Sequence, residues 1–138
     1  MKKYTLLFLL VCFLYSCSDN KTDMPELKLV SVYLNGEPKN YYRNLEEILP
    51  LSAGDYIDVS FYLYGNGADL KTFMLKNENS NIKSLMLFSD DEVSEDFTEE
   101  DKGILGYKDG VKNTKIEVKL SVRSPKEEEP RVAFYLNS

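Results

Sequence analysis

The chain has 138 residues, with 23 acidic against 17 basic side chains, no histidine and no tryptophan. A net charge of −6 makes a nucleic-acid backbone or an anionic headgroup layer an unfavourable surface partner. Without histidine, and with two cysteines in all, neither a Ser-His-Asp or Cys-His triad nor a Cys/His zinc site can be assembled.

The chain opens with Met1-Lys2-Lys3, a positive start. Tyr4 to Tyr15 follows, apolar or aromatic throughout except for Thr5, and then Ser16 and Cys17. A charged beginning, an apolar stretch of this length and a small residue before the cut make a cleaved secretory signal peptide over residues 1–16. The apolar stretch falls short of the roughly 20 residues needed to span a hydrocarbon core. Leu14-Tyr15-Ser16-Cys17 resembles a bacterial lipobox, with Tyr15 where that family usually has a small residue. The resemblance implies cleavage before Cys17 and acylation of that cysteine, palmitate being one such chain. Several acyl chains, each worth about 0.8 kcal/mol per buried CH₂, anchor a protein firmly where one does so marginally. Cys12 is lost with the leader, so Cys17 has no disulfide partner in the mature chain.

On that resemblance, residues 17–26 are expected to be the lipidated cysteine and a polar tether. Ser18 to Asp23 resembles the short acidic tract of surface lipoproteins of the Bacteroides group, which implies an outer-membrane, cell-surface location. Without Lys2 and Lys3 the mature chain keeps 15 basic against 23 acidic residues, a net charge near −8.

Residues 27–138 are expected to be one domain with one core. Leu27–Leu34 is the first predicted strand, ending at Asn35-Gly36. Tyr41-Tyr42 is a candidate edge strand. Asn44 with Glu47 three residues later is a capping signal, predicting one helical turn stopped by Pro50. After Gly54-Asp55, Ile57, Val59, Phe61 and Leu63 alternate with Asp58, Ser60, Tyr62 and Tyr64, the pattern of a half-buried strand. Gly65-Asn66-Gly67 turns the chain into strands at Leu70–Leu75 and Ile82–Phe88, the latter apolar on both faces in places. Ser89–Lys102 is an acidic loop with an expected helical turn around Ser94–Glu100, and Gly103–Tyr107 a short strand. Asp109-Gly110 is a hairpin signal. Ile116, Val118, Leu120 and Val122 alternate with polar residues in a second clean strand. Ser124–Pro130 is a charged hairpin loop before the last strand, with Val132, Phe134 and Leu136 inward.

About seven short strands separated by turns predict an all-β antiparallel sandwich. Ala53-Gly54-Asp55-Tyr56-Ile57-Asp58-Val59, with Gly65-Asn66-Gly67 and Leu70-Lys71-Thr72-Phe73, resembles the second and third strands of bacterial immunoglobulin-like modules. An immunoglobulin-like sandwich is therefore expected, held by aliphatic residues with Phe61, Phe73 and Phe134 in place of a disulfide and a tryptophan.

Two groups are candidate sites. Asp90, Asp91, Glu92, Glu95 and Asp96 belong to a run of acids that could give calcium its hard oxygen ligands, although the spacing and missing mid-loop glycine do not fit an EF-hand. A solvated loop is the competing reading. Tyr56, Tyr62, Tyr64 and Tyr135 are expected to face outward, where rings can stack on a glycan, dock a protein or shield the sheet by cross-strand pairing. No recognisable catalytic constellation or phosphate-binding loop is present. The expectation is a non-catalytic, lipid-anchored envelope module without a resident cofactor, binding glycan or protein through the exposed tyrosine face or the loops at one end, or a structural accessory subunit of a larger envelope complex.

Overall fold

The computed structural model describes residues 9–12, the latter through backbone pairing alone, with 24–48, 50–124 and 131–138. The lipobox, Cys17, the tether up to Asp23 and the loop 125–130 lie outside the described residues. No helix among the described residues is long and apolar enough to cross a membrane.

The chain is all-β. β2 (Glu26–Leu34), β3 (Tyr56–Tyr64), β4 (Thr72–Asn77), β5 (Ile82–Leu87), β6 (Ile104–Gly106), β7 (Asn113–Val122) and β8 (Arg131–Asn137) form the body, and β1 (Leu9–Cys12) lies beside it. One sheet has the order β2-β3-β7-β5 and the other β1-β8-β4-β6. Every pairing within the body is antiparallel; only β1 runs parallel to its neighbour.

This is an immunoglobulin-like order. Such sandwiches place strands A, B, E and D on one sheet and C, F and G on the other. Here β2, β3, β7 and β5 take the first set in that order, while β4 and β8 take the places of C and F. β6 is an addition beside C. The place of G, on the far side of F, is held by β1.

Alternation in β3 and β7 sends Ile57, Val59, Phe61, Leu63, Ile116, Val118, Leu120 and Val122 into the core. β4 and β8 answer with Phe73, Leu75, Val132, Phe134 and Leu136. The ring of Phe61 meets that of Phe134 at 4.7 Å between centroids across the sheets. Phe73 lies 6.1 Å from Phe134 and 6.5 Å from Phe61. These three rings take the place of a disulfide and a core tryptophan.

Several local expectations are corrected. β2 carries a bulge between Leu29 and Ser31. The extra residue keeps Leu27 and Leu29, and then Val32 and Leu34, opposite inward residues of β3 despite their broken spacing. Tyr41-Tyr42 is not a strand; the lone bridge there joins Tyr33 to Asn40. Leu45–Glu47 is a single 3₁₀ turn without a side-chain cap from Asn44, and Glu47 instead meets Lys39 at 2.8 Å. Asp109-Gly110 does not close a hairpin, because β6 and β7 belong to different sheets. The β7–β8 connection likewise crosses between sheets and is not a hairpin.

The acidic loop is held in place, not merely solvated. It forms three 3₁₀ turns, Asp90–Glu92, Glu95–Phe97 and Glu100–Lys102. Val93 bridges Tyr107, Glu99 bridges Ile104, and the Ser94 N–H donates to the Gly106 carbonyl at 2.7 Å. The Gly106 N–H donates to Thr98 Oγ1 at 3.0 Å. Phe97 lies so close over Gly106 that an added Cβ would sit 2.4 Å from the Phe97 Cβ and 2.6 Å from its carbonyl oxygen.

Gly106→Ala should therefore separate the loop from β6. Overpacking of this kind costs about 1–3 kcal/mol, a fall in Tm of roughly 5–15 °C by circular dichroism. An unchanged Tm would mean that Phe97 moves aside freely.

Candidate functional site

Strand register sets the rows of side chains on the outer face of the β2-β3-β7-β5 sheet. Tyr33, Asp58, Lys119 and Leu85 form one row, and Ser31, Ser60, Glu117 and Leu87 the next. Lys28, Tyr62 and Lys115 follow, then Glu26, Tyr64 and Asn113. Two aromatic residues spaced by two on one strand share a face, and the Tyr62 and Tyr64 rings lie 6.1 Å apart at 42°. Tyr56 is on the same face with the Lys119 ammonium 4.2 Å from its ring centroid, a cation–π contact that covers part of the ring. Lys115 and Glu117 pair at 3.6 Å.

Tyr62 is 40 % exposed, and Leu85 and Leu87 are each 48 % exposed. The face is thus amphipathic: tyrosines over β3, two leucines on β5, and lysines with acids between them. Tyr135 does not join it. It alternates with the buried Phe134 and Leu136 and pairs in register with Met74, so it belongs to the outer face of the opposite sheet. Of the four tyrosines expected outside, Tyr56, Tyr62 and Tyr64 are brought together and Tyr135 is separated from them. Leu85 and Leu87 were not singled out from sequence. Their signal was there, since a strand apolar at both parities either has both faces covered or leaves one greasy.

The acidic candidates do not converge. Asp90, Asp91 and Glu92 form one 3₁₀ turn, and Glu95 and Asp96 begin the next. Among the described residues no three acidic or cysteine side chains are grouped to hold a metal. Glu92 is engaged elsewhere, accepting from Thr114 Oγ1 at 2.7 Å. A shallow depression of about 530 Å³ lies over this loop, lined in part by Phe88, Asp90, Ser94, Asp96 and Lys108. A second, of about 460 Å³, runs along the β4–β5 side past Met74, Ser84, Leu85 and Met86 to Lys102.

Tyr107 closes β6 at the core boundary. It is buried, and its hydroxyl has no hydrogen-bond partner among the described residues. Burial, and secondarily the carboxylate of Glu92, push its pKa well above the ordinary tyrosine value. The folded state therefore holds this proton more tightly than the unfolded chain, whose tyrosine ionises near about 10. The stability that goes with the neutral ring is complete below that pH and is lost as pH rises above it. Tyr107→Phe removes a buried unpaired hydroxyl, a group that costs about 1–3 kcal/mol when unsatisfied. The variant should melt no lower than wild type at pH 7 and lose less Tm above pH 10. A lower Tm at pH 7 would mean that the hydroxyl has a stabilising partner after all.

No curated protein and no solved structure matches the chain. One family does, a domain of unknown function (DUF5035), over residues 17–138. That segment holds the whole two-sheet body and all its buried residues, and the chain belongs to the DUF5035 family.

Proposed function

We propose that this protein is a non-catalytic binding module, lipid-anchored through Cys17 at the outer membrane, whose ligand is another envelope protein. The observation that carries the reading is the amphipathic outer face of the β2-β3-β7-β5 sheet. Aromatic and aliphatic groups among paired charges suit a protein surface, where tyrosines supply contact area at low entropic cost. The rings favour protein over glycan. Tyr62 and Tyr64 are tilted by 42° and Lys119 covers part of Tyr56, so no flat platform of parallel rings is offered to a sugar.

The anchor rests on the charged start, the apolar stretch and Leu14-Tyr15-Ser16-Cys17. The family segment beginning at Cys17, the residue that would lead the mature chain, supports the same cut. A structural accessory subunit is the second reading. It is favoured by Leu85 and Leu87, whose half-exposed side chains side by side at a sheet edge suit a permanent contact.

Cys17→Ser should move the protein from the membrane fraction to the soluble fraction or leave an uncut precursor. Wild-type fractionation of a correctly cut variant would defeat the anchor. A photo-crosslinking residue in place of Tyr62 should give a discrete adduct in intact cells, and one in place of Lys76 should not. A salt-resistant stoichiometric adduct would mark the accessory subunit. Binding on a glycan array without adducts at position 62 would overturn the protein-ligand reading.

A further inference from the structure

A two-sheet sandwich has four sheet edges, and each open edge is a row of backbone groups ready to pair with another chain. Among the described residues two are covered and a third is tied at its start. At β2, the Val32 N–H donates to Asn40 Oδ1 at 2.9 Å, Asn40 Nδ2 donates to the Val30 carbonyl at 3.3 Å, and the Tyr41 N–H donates to the Val32 carbonyl at 2.8 Å. β6 is three residues long, and Glu99 and Ile104 exchange backbone bonds at 2.9 and 3.1 Å. β5 is held at its start by Asn77, which donates to the Ile82 carbonyl at 2.9 Å, and its leucines belong to the docking face described above.

The fourth edge is β8. Among the described residues its only partner on that side is β1, in parallel register from Leu9 opposite Arg131 to Cys12 opposite Phe134. Among the described residues the edge has none of the usual protections. From Val132 to Leu136 it carries no charge, proline or bulge, and Arg131 alone is charged. The backbone groups that point to this edge can be identified. The Arg131 carbonyl and N–H face Asn79, at 2.6 and 3.3 Å, on the β4 side, and the Asn137 carbonyl accepts from the Lys71 N–H on that same side. Backbone groups alternate sides along a strand. Val132, Phe134 and Leu136 therefore direct theirs away from β4, toward β1.

β1 lies within the segment assigned above to the cleaved leader. On that assignment, which this inference requires, the mature domain lacks the strand that fills the G position and its β8 edge stands open. We infer that this edge is a strand-acceptor site, and that it takes an extended apolar segment of a partner envelope protein running parallel to β8. The chemistry of the occupant is indicated by the segment seated there, Leu9-Leu10-Val11-Cys12: apolar, uncharged and rich in strand formers. Strand addition of this kind gains affinity from main-chain bonds. The mature chain has no such segment to spare. Its stretch after Cys17, Ser18-Asp19-Asn20-Lys21-Thr22-Asp23, is polar, and the apolar strands among its described residues are paired within the two sheets, so neither its own tether nor a second copy matches.

The test uses the lipoprotein extracted from membranes in detergent. The probe is a lysine-flanked peptide carrying residues 8–13 with Cys12→Ser, and the control is that peptide with Leu10→Pro and Val11→Pro. Intact mass comes first: a chain retaining residues 1–16 sinks the anchor reading and the open edge with it. In the cut protein, the Val132 and Phe134 amides should exchange quickly while Ala133 and Tyr135, bonded toward β4, stay slow. Saturating apolar peptide should slow Val132 and Phe134 by about tenfold or more, and the proline peptide should leave them unchanged. A cut protein whose Val132 and Phe134 amides ignore the peptide, respond equally to both peptides, or are already slow without either would overturn the strand-acceptor site and leave the anchor standing.

Discussion

The two sheets depend on one contact between them, the ring of Phe61 from β3 against that of Phe134 from β8, 4.7 Å apart at 54°. Phe73 on β4 stacks on the same side, 6.1 Å from Phe134. All three are fully buried. An antibody-type domain joins its sheets here by a disulfide packed on a tryptophan. This chain has neither, so the same position is closed by dispersion and by ring geometry beyond simple area burial. The choice suits a chain whose lone mature cysteine is committed elsewhere on the lipobox reading.

That framework sets what is left for function. With the inner faces consumed by the core, the described strands offer their outer faces and edges to a partner. The β2-β3-β7-β5 sheet presents a mixed face where Lys119 reaches over Tyr56 and Lys115 pairs with Glu117. The other sheet places Tyr135 beside Met74 and runs from β1 through β8 and β4 to β6. The acidic loop, the most obvious feature by charge, serves as a cover for β6: Val93, Phe97 and Thr98 hold it down, Glu92 accepts from Thr114, and its other carboxylates are exposed. Among the described residues these acids are not gathered into a group that could hold a metal ion.

Much of this was legible from residue order. β3 and β7 alternate so regularly that inward and outward sets follow directly, and the pairing of Phe61, Phe73 and Phe134 as core aromatics follows with them. The β2 bulge was hidden, because Leu29 and Val32 are three apart and periodicity alone cannot show which residue between them is extra. Asp109-Gly110 was mistaken for a hairpin because such a pair encodes backbone shape, not which sheet the next strand joins. Tyr135 was correctly placed outside its own strand, but parity does not reveal which of two sheets that strand occupies. The loop anchors were obscured by composition, because three contact residues lie among eight acids. Asn44 and Glu47 show the reverse case, a capping pair that does not form: Asn44 makes no side-chain cap, and Glu47 pairs with Lys39.

The claim on which the rest stands is that ring-to-ring contact couples the sheets. A double-mutant cycle of Phe61→Leu, Phe134→Leu and both together, measured by denaturant unfolding, addresses it directly. Aromatic pairs of this geometry give about 0.5–1.5 kcal/mol beyond the area they bury, so the two losses should fall short of additivity by that amount. Strictly additive losses would show that the rings are merely neighbours and that the sheets are joined by something else.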